Sequence, residues 1–278
     1  MDTITDKNIN DFTSRNTIVG NPRLVNSKII FKGTNNILYF AQSGITLKDS
    51  TIDFQGSNSV VFLCENTNTY LVKLSIYNDS VCYIGKNCYI NNHLQMIISE
   101  RKHVIIGNDG LFSTNCCFRT ADPHLMYDCE SNTRINHSNS IYIGDHVWLG
   151  QQALLLKGTQ IGSGSIIGAM SVVSNKIIPS NCSFAGNPVK LVRAGVFFSK
   201  NCVHKYSVAD TQKTENGDFA REFIYTYDQN QYIPFNVIDS TMDTISQPSE
   251  RLEYLISTIY NNNYKNRFDF DKYGIEKK

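Results

Sequence analysis

The chain has 278 residues, 41% of them hydrophobic, with 26 Lys and Arg against 25 Asp and Glu for a formal net charge of +1. That is enough apolar material for a continuous core of domain size. The balanced charge excludes the broad basic field that holds a nucleic-acid backbone or an anionic membrane, so any anion site must be local.

No stretch approaches the roughly 18 consecutive apolar residues of a membrane span. The start, MDTITDKNIN, has neither a basic region nor an apolar run that would direct export, so a cytoplasmic location is expected. Up to about residue 80, the runs IIFKGTNNILYF, GITLKDSTIDF and NSVVFLCENTNTYLVKLSIY are β-rich and separated by Gly, Asn, Asp and Ser. They read as less regular coils capping a stack, with Asn suited to the tight corners. Cys64, Cys82, Cys88, Cys116, Cys117, Cys129, Cys182 and Cys202 show no Cys-x-x-Cys pair and read as small apolar residues of a reduced protein.

A beat of six then begins, with Ile84 and Ile90, and again with Ile106, Phe112 and Phe118. It stops over residues 119–140, which are polar and rich in turn formers, and predict a loop extruded from the fold. It resumes without a slip at Ile143, Leu149, Leu155, Ile161, Ile167 and Val173. Two places before these stand Ile141, Val147, Ala153, Thr159, Ser165 and Ser171, while Gly144, Gly150, Gly162 and Gly168 follow four of them. A period of six fits neither a helical face nor an alternating strand. It fits a parallel β-helix in which each hexad is one side of a triangular coil and its aliphatic residue points to the axis. The glycines are expected to supply backbone freedom at the corners.

The hexads end after Pro188, and residues 205–245 show no clear pattern. SERLEYLISTIY then puts Leu252, Leu255, Ile256 and Ile259 on one face, predicting a helix near 249–261 with Ser249 as N-cap, packed on the solenoid or on a neighbouring subunit. The expected organisation is a β-helix domain over 1–198 and a C-terminal extension over 199–278.

The segments IGDHVWLG, ADPHLMYD, GAMSVVSNKIIPSN and AGNPVK, within a match over roughly residues 100–193, closely resemble the terminal coils of bacterial hexapeptide-repeat O-acetyltransferases. The likeness is greatest to those that acetylate sialic acid, polysialic acid and capsular sugars. It implies a left-handed β-helix, a homotrimer, and acetyl-CoA in a groove between neighbouring solenoids. The acceptor it implies is a hydroxyl of sialic acid or of a related capsular or lipooligosaccharide sugar. N-acetylation of an amino-sugar nucleotide and a non-catalytic trimeric scaffold are the alternatives.

Acyl transfer to a hydroxyl needs a base for its proton and donors for the tetrahedral oxyanion. Histidine suits the first task, and His124 in ADPHLMYD occupies the place of the family's catalytic histidine by resemblance. Asp122 or Asp128 could orient its imidazole, and Arg134 could pair with an acidic sugar or simply brace the loop. His137 and His146 are rivals to His124; His93, His103 and His204 lie further off. Trp148, the sole tryptophan, precedes the inward Leu149, so its ring is expected on the outer surface, where its N–H could support the thioester or the oxyanion. Gly168, Ala169 and Ser174 are expected to form a ridge along the pantetheine arm. By resemblance Lys176 and Lys190 meet the nucleotide end, with Lys157 and Arg193 as further candidates. No metal is expected, since no H-x-E or Cys-x-x-Cys spacing is present.

Overall fold

A computed structural model describes residues 1–9, 12, 14–215 and 221–268. In it the beat of six becomes a three-sided column. Ile143, Leu149 and Leu155 lie on successive strands in three different sheets. They pair in parallel register with Ile161, Ile167 and Val173. These partners are 18 residues apart, so three hexads close one turn. All six aliphatics are fully buried in one core that runs the length of the column. No hexad can bury its side chain alone, whereas stacking removes each from water for about 1.5–3 kcal/mol.

The first face includes Leu94–Ile98, Cys117–Arg119, Leu154–Leu156 and Val172–Val173. His103–Ile106, Ile141–Ile143, Gln160–Ile161 and Ile177–Ile178 belong to the second, and Leu111–Phe112, Trp148–Leu149, Ile166–Ile167 and Cys182–Gly186 to the third. An antiparallel hairpin from Cys182–Gly186 to Val189–Ala194 closes the column.

The N-terminal coils are longer, which is why the beat loosens there. Val60 pairs with Val81 and Val81 with His103, spacings of 21 and 22 residues. The extra residues sit at corners where Asn35, Asn58 and Asp79 take left-handed φ of 57°, 61° and 56°. Asn35 donates to Asn58 at 2.9 Å and Asn58 to Asp79 at 3.3 Å, a ladder along that edge.

The hexad glycines play a different part from the expected one. None of Gly144, Gly150, Gly162 and Gly168 has a positive φ; the left-handed corners belong to His146, Gln152, Asn175 and others. Gly150 instead lets two coils close on each other, because a Cβ there would lie 2.4 Å from the Ala169 nitrogen.

The extension contributes α1 (Val208–Glu215), α2 (Phe235–Thr244) and α3 (Pro248–Leu255), the last continuing as a π-helical turn over Ile256–Tyr260. Gln247, not Ser249, is the N-cap of α3, because Pro248 has already taken a first-turn position that needs no N–H partner. Helices α2 and α3 cover the second face. Val60, Phe62, Val81, Tyr83, Ile105 and Tyr142 join Phe235, Ile238, Met242, Leu255 and Ile259 in a second core. The Tyr142 and Phe235 rings stack at 4.7 Å. No described helix is long and apolar enough to cross a membrane.

Candidate active site

The chain leaves the first face at Arg119 and re-enters the second at Ile141, so residues 120–140 project from the corner between these faces. Within the loop, Tyr127 and Arg134 form an isolated antiparallel bridge. Its turn is held by Asp128, whose carboxylate accepts from the Glu130 and Ser131 amides at 3.1 and 2.8 Å and from the Ser131 hydroxyl at 2.9 Å. Those donors, the Ser131 amide first, hold the Asp128 carboxyl below its usual range. Asp122 accepts from Lys157 Nζ at 2.6 Å, which lowers its pKa. Neither aspartate bonds the His124 imidazole within the chain, which stands exposed and without a side-chain hydrogen bond among the described residues.

Buried Asn136 brackets that histidine through the backbone. Its Nδ2 donates to the His124 carbonyl at 2.7 Å and its Oδ1 accepts from the Met126 amide at 2.9 Å. Arg134 is paired with Glu100, with Nη2 2.8 Å from Oε2 and Nη1 bonded to Oε1. Ser138 donates to the same carboxylate. The brace reading of Arg134 is therefore the one its contacts express, and Lys157, taken by Asp122, is a loop anchor and not a free phosphate ligand.

Trp148 lies on the third face, 39% exposed, paired with Leu111 and Ile166 on the adjoining rungs. His146 does not line a groove beside it. The imidazole is buried between the Phe198 and Phe223 rings, at 4.1 and 4.0 Å, and burial lowers its pKa. His103 is buried too, accepting from the Val81 amide, and burial drives its pKa down to about 3. His93 bonds the Asp49 carbonyl at 2.7 Å. His137 shares the loop and is exposed, as is His204 in the extension.

The expected donor residues fall into two groups. Gly168 and Ala169 follow Ile167 at the end of the third face, and Lys190 lies on the hairpin extending that face, paired with Ala185. Ser174 and Lys176 lie at the loop corner instead, next to Lys157, whose carbonyl accepts from the Asn175 amide. Ser174 therefore shares no ridge with Gly168 and Ala169, because six residues carry the chain across one whole face. Lys176 Nζ sits 5.7 Å from the Phe184 ring centre, and Arg193 is exposed on the hairpin. A single column thus presents His124, Ser174 and Lys176 at one edge and Trp148, Gly168, Ala169 and Lys190 on the opposite face.

Residues 140–175 match the family described as bacterial transferase hexapeptide (six repeats). A polysialic acid O-acetyltransferase from Neisseria meningitidis is 27% identical over 183 residues, 66% of this chain and 84% of that protein. A second, from Escherichia coli O1:K1, is 31% identical over 104 residues, 37% of this chain and 34% of that protein. The crystal structure of the polySia specific acetyltransferase NeuO superposes with a TM-score of 0.62 at 27% identity, over 72% of this chain and 94% of that one. The chain carries hexapeptide repeats and is similar to sugar O-acetyltransferases built on them.

Three residues of the candidate site escaped the sequence reading: Asn136, Glu100 and Phe198. Glu100 stands 34 residues from its partner Arg134, a separation no local pattern spans. Asn136 follows Arg134 in RIN, and its small polar side chain in an otherwise open loop was a signal that could have been taken up.

Proposed function

We propose that this acyltransferase moves an acetyl group from acetyl-CoA to a hydroxyl of sialic acid or of a related capsular or lipooligosaccharide sugar, and that it works as a homotrimer. The names of the relatives support the acetyl donor and the sugar. The observation that carries the assembly is the division of site residues between one edge of the column and the opposite face. A copy related by a three-fold axis would bring the loop of one column against the third face of the next. The second face is not available for that contact, since α2 and α3 cover it. Leu125, Met126, Tyr127 and Ile135 are exposed on the loop, as an intersubunit contact requires.

In this reading the His124 imidazole takes the hydroxyl proton as the sugar oxygen attacks the thioester carbonyl. The Trp148 N–H and backbone amides of the groove hold the oxyanion. The tetrahedral intermediate collapses, the carbon–sulfur bond breaks, and the imidazolium returns its proton to the departing CoA thiolate. Arg134, engaged by Glu100, shapes the loop, and Lys176 and Lys190 supply local cations for the CoA phosphates that a chain of net charge +1 does not attract as a whole.

The test is CoA release by the purified protein with CMP-sialic acid, polysialic acid, neutral oligosaccharides and an amino-sugar nucleotide. Release with the sialyl acceptors, lost in His124→Ala, supports the proposal. Release with the amino sugar alone assigns N-acetylation, and no acetyl-CoA binding by calorimetry assigns a scaffold.

A further inference from the structure

Besides covering the second face, the extension grips the corner between the second and third faces on coil after coil. Arg267 makes a two-point contact with Asp145, Nε to Oδ2 at 2.9 Å and Nη2 to Oδ1 at 2.7 Å. The Phe268 carbonyl accepts from the Ser163 amide at 3.2 Å. One coil on, Asn181 Nδ2 donates to the Val196 and Phe223 carbonyls, and its Oδ1 accepts from the Tyr225 amide at 2.7 Å. Between these fixed points lies His146, two residues before Trp148 on the same edge of the third face.

His146 is locked in three ways. Its φ of 53° makes it a corner residue. Its ring is sandwiched by Phe198 and Phe223 with interplanar angles of 8° and 6°. Its Nε2 stands 3.0 Å from the Phe198 carbonyl, an oxygen that only accepts, so Nε2 carries the proton. Phe198 is thereby held at both backbone and ring, and its ring sits 5.7 Å from the Trp148 ring at 49°. An indole on an outer face otherwise has several rotamers open to it, and ordering it on binding would cost entropy.

We propose that the end of the β-helix domain at Phe198, together with Phe223 of the C-terminal extension, forms part of the donor side of the site, with Phe198, locked against His146, acting as the positioning residue that fixes the Trp148 ring. The donor role rests on the reading of Trp148 given under Proposed function, while the positioning itself is read independently, because Trp148 is the chain's only tryptophan and the emission therefore reports on this one ring.

The experiment compares the parent protein with Phe198→Ala and with His146→Asn, which keeps a residue tolerant of the left-handed corner. In both, with sedimentation unchanged, the Trp148 emission maximum moves to longer wavelength and acrylamide quenching rises. The KM for acetyl-CoA rises about tenfold while kcat changes less, the pattern of lost donor binding and not of lost chemistry. Folded variants with parental emission and quenching would overturn the proposal. Trp148→Phe separates the two claims: an unchanged acetyl-CoA KM in that variant would remove Trp148 from the donor site, with the fluorescence result still deciding whether Phe198 positions it.

Discussion

Asn136 shows how a buried amide can set the position of an exposed imidazole. It holds the backbone on both sides of Leu125, at His124 and Met126, so its loss frees the histidine without touching it. Misplacement of a catalytic group by about 1 Å can cost on the order of a hundredfold in rate. Asn136→Ala is therefore expected to lower kcat by about 10- to 100-fold with the KM for acetyl-CoA unchanged, in steady-state assays of CoA release. Glu100 anchors the same loop and gives it a pH limit. Arg134 first, and Ser138 with it, hold the Glu100 carboxyl at about 2 against an ordinary 4.5. A depressed carboxylate stabilises the fold fully above its unfolded value and loses that contribution as pH falls through the folded one. The anchor should thus release between about pH 4.5 and 2, modestly because the pair is partly exposed. Cleavage within residues 120–140 by an acid protease should rise across that window in the parent, and in Glu100→Gln should already be raised at its upper end.

At the level of elements, the hexads were legible because a period of six belongs to no helix or ordinary strand, and Ile143 to Val173 keep it without interruption. The loop was legible as the gap in that beat. The covering of the second face was not read, although a signal was present. Its strands VVFL, VCYI, HVII and IYI are apolar at every position or nearly so, the mark of strands buried on both sides. Residues 205–245 hid α2, because the apolar partners of Phe235 and Ile238 lie on strands far earlier in the chain. The grip of the extension on the corner was beyond sequence for the same reason: Arg267 and Asp145 are 122 residues apart. This pair is buried and doubly bonded, so removing the cation leaves a carboxylate without its partner. Arg267→Met should destabilise the protein by about 3–5 kcal/mol in urea unfolding, and should raise hydrogen exchange in α3 first.

For the whole molecule, the second face of the column is closed by its own chain, and the candidate site residues are divided between an edge and the opposite face. Under the proposed function, that arrangement would make one copy an incomplete enzyme and a head-to-tail ring a complete one. His124→Ala and Trp148→Ala should each be inactive alone. Refolded together at equal amounts, random ring assembly would pair an intact His124 with an intact Trp148 at about a quarter of the interfaces. The measurement is acetyl-transfer activity of that mixture: recovery to about a quarter of the parent rate is what a site shared between copies predicts, and a mixture as inactive as its components would contradict it.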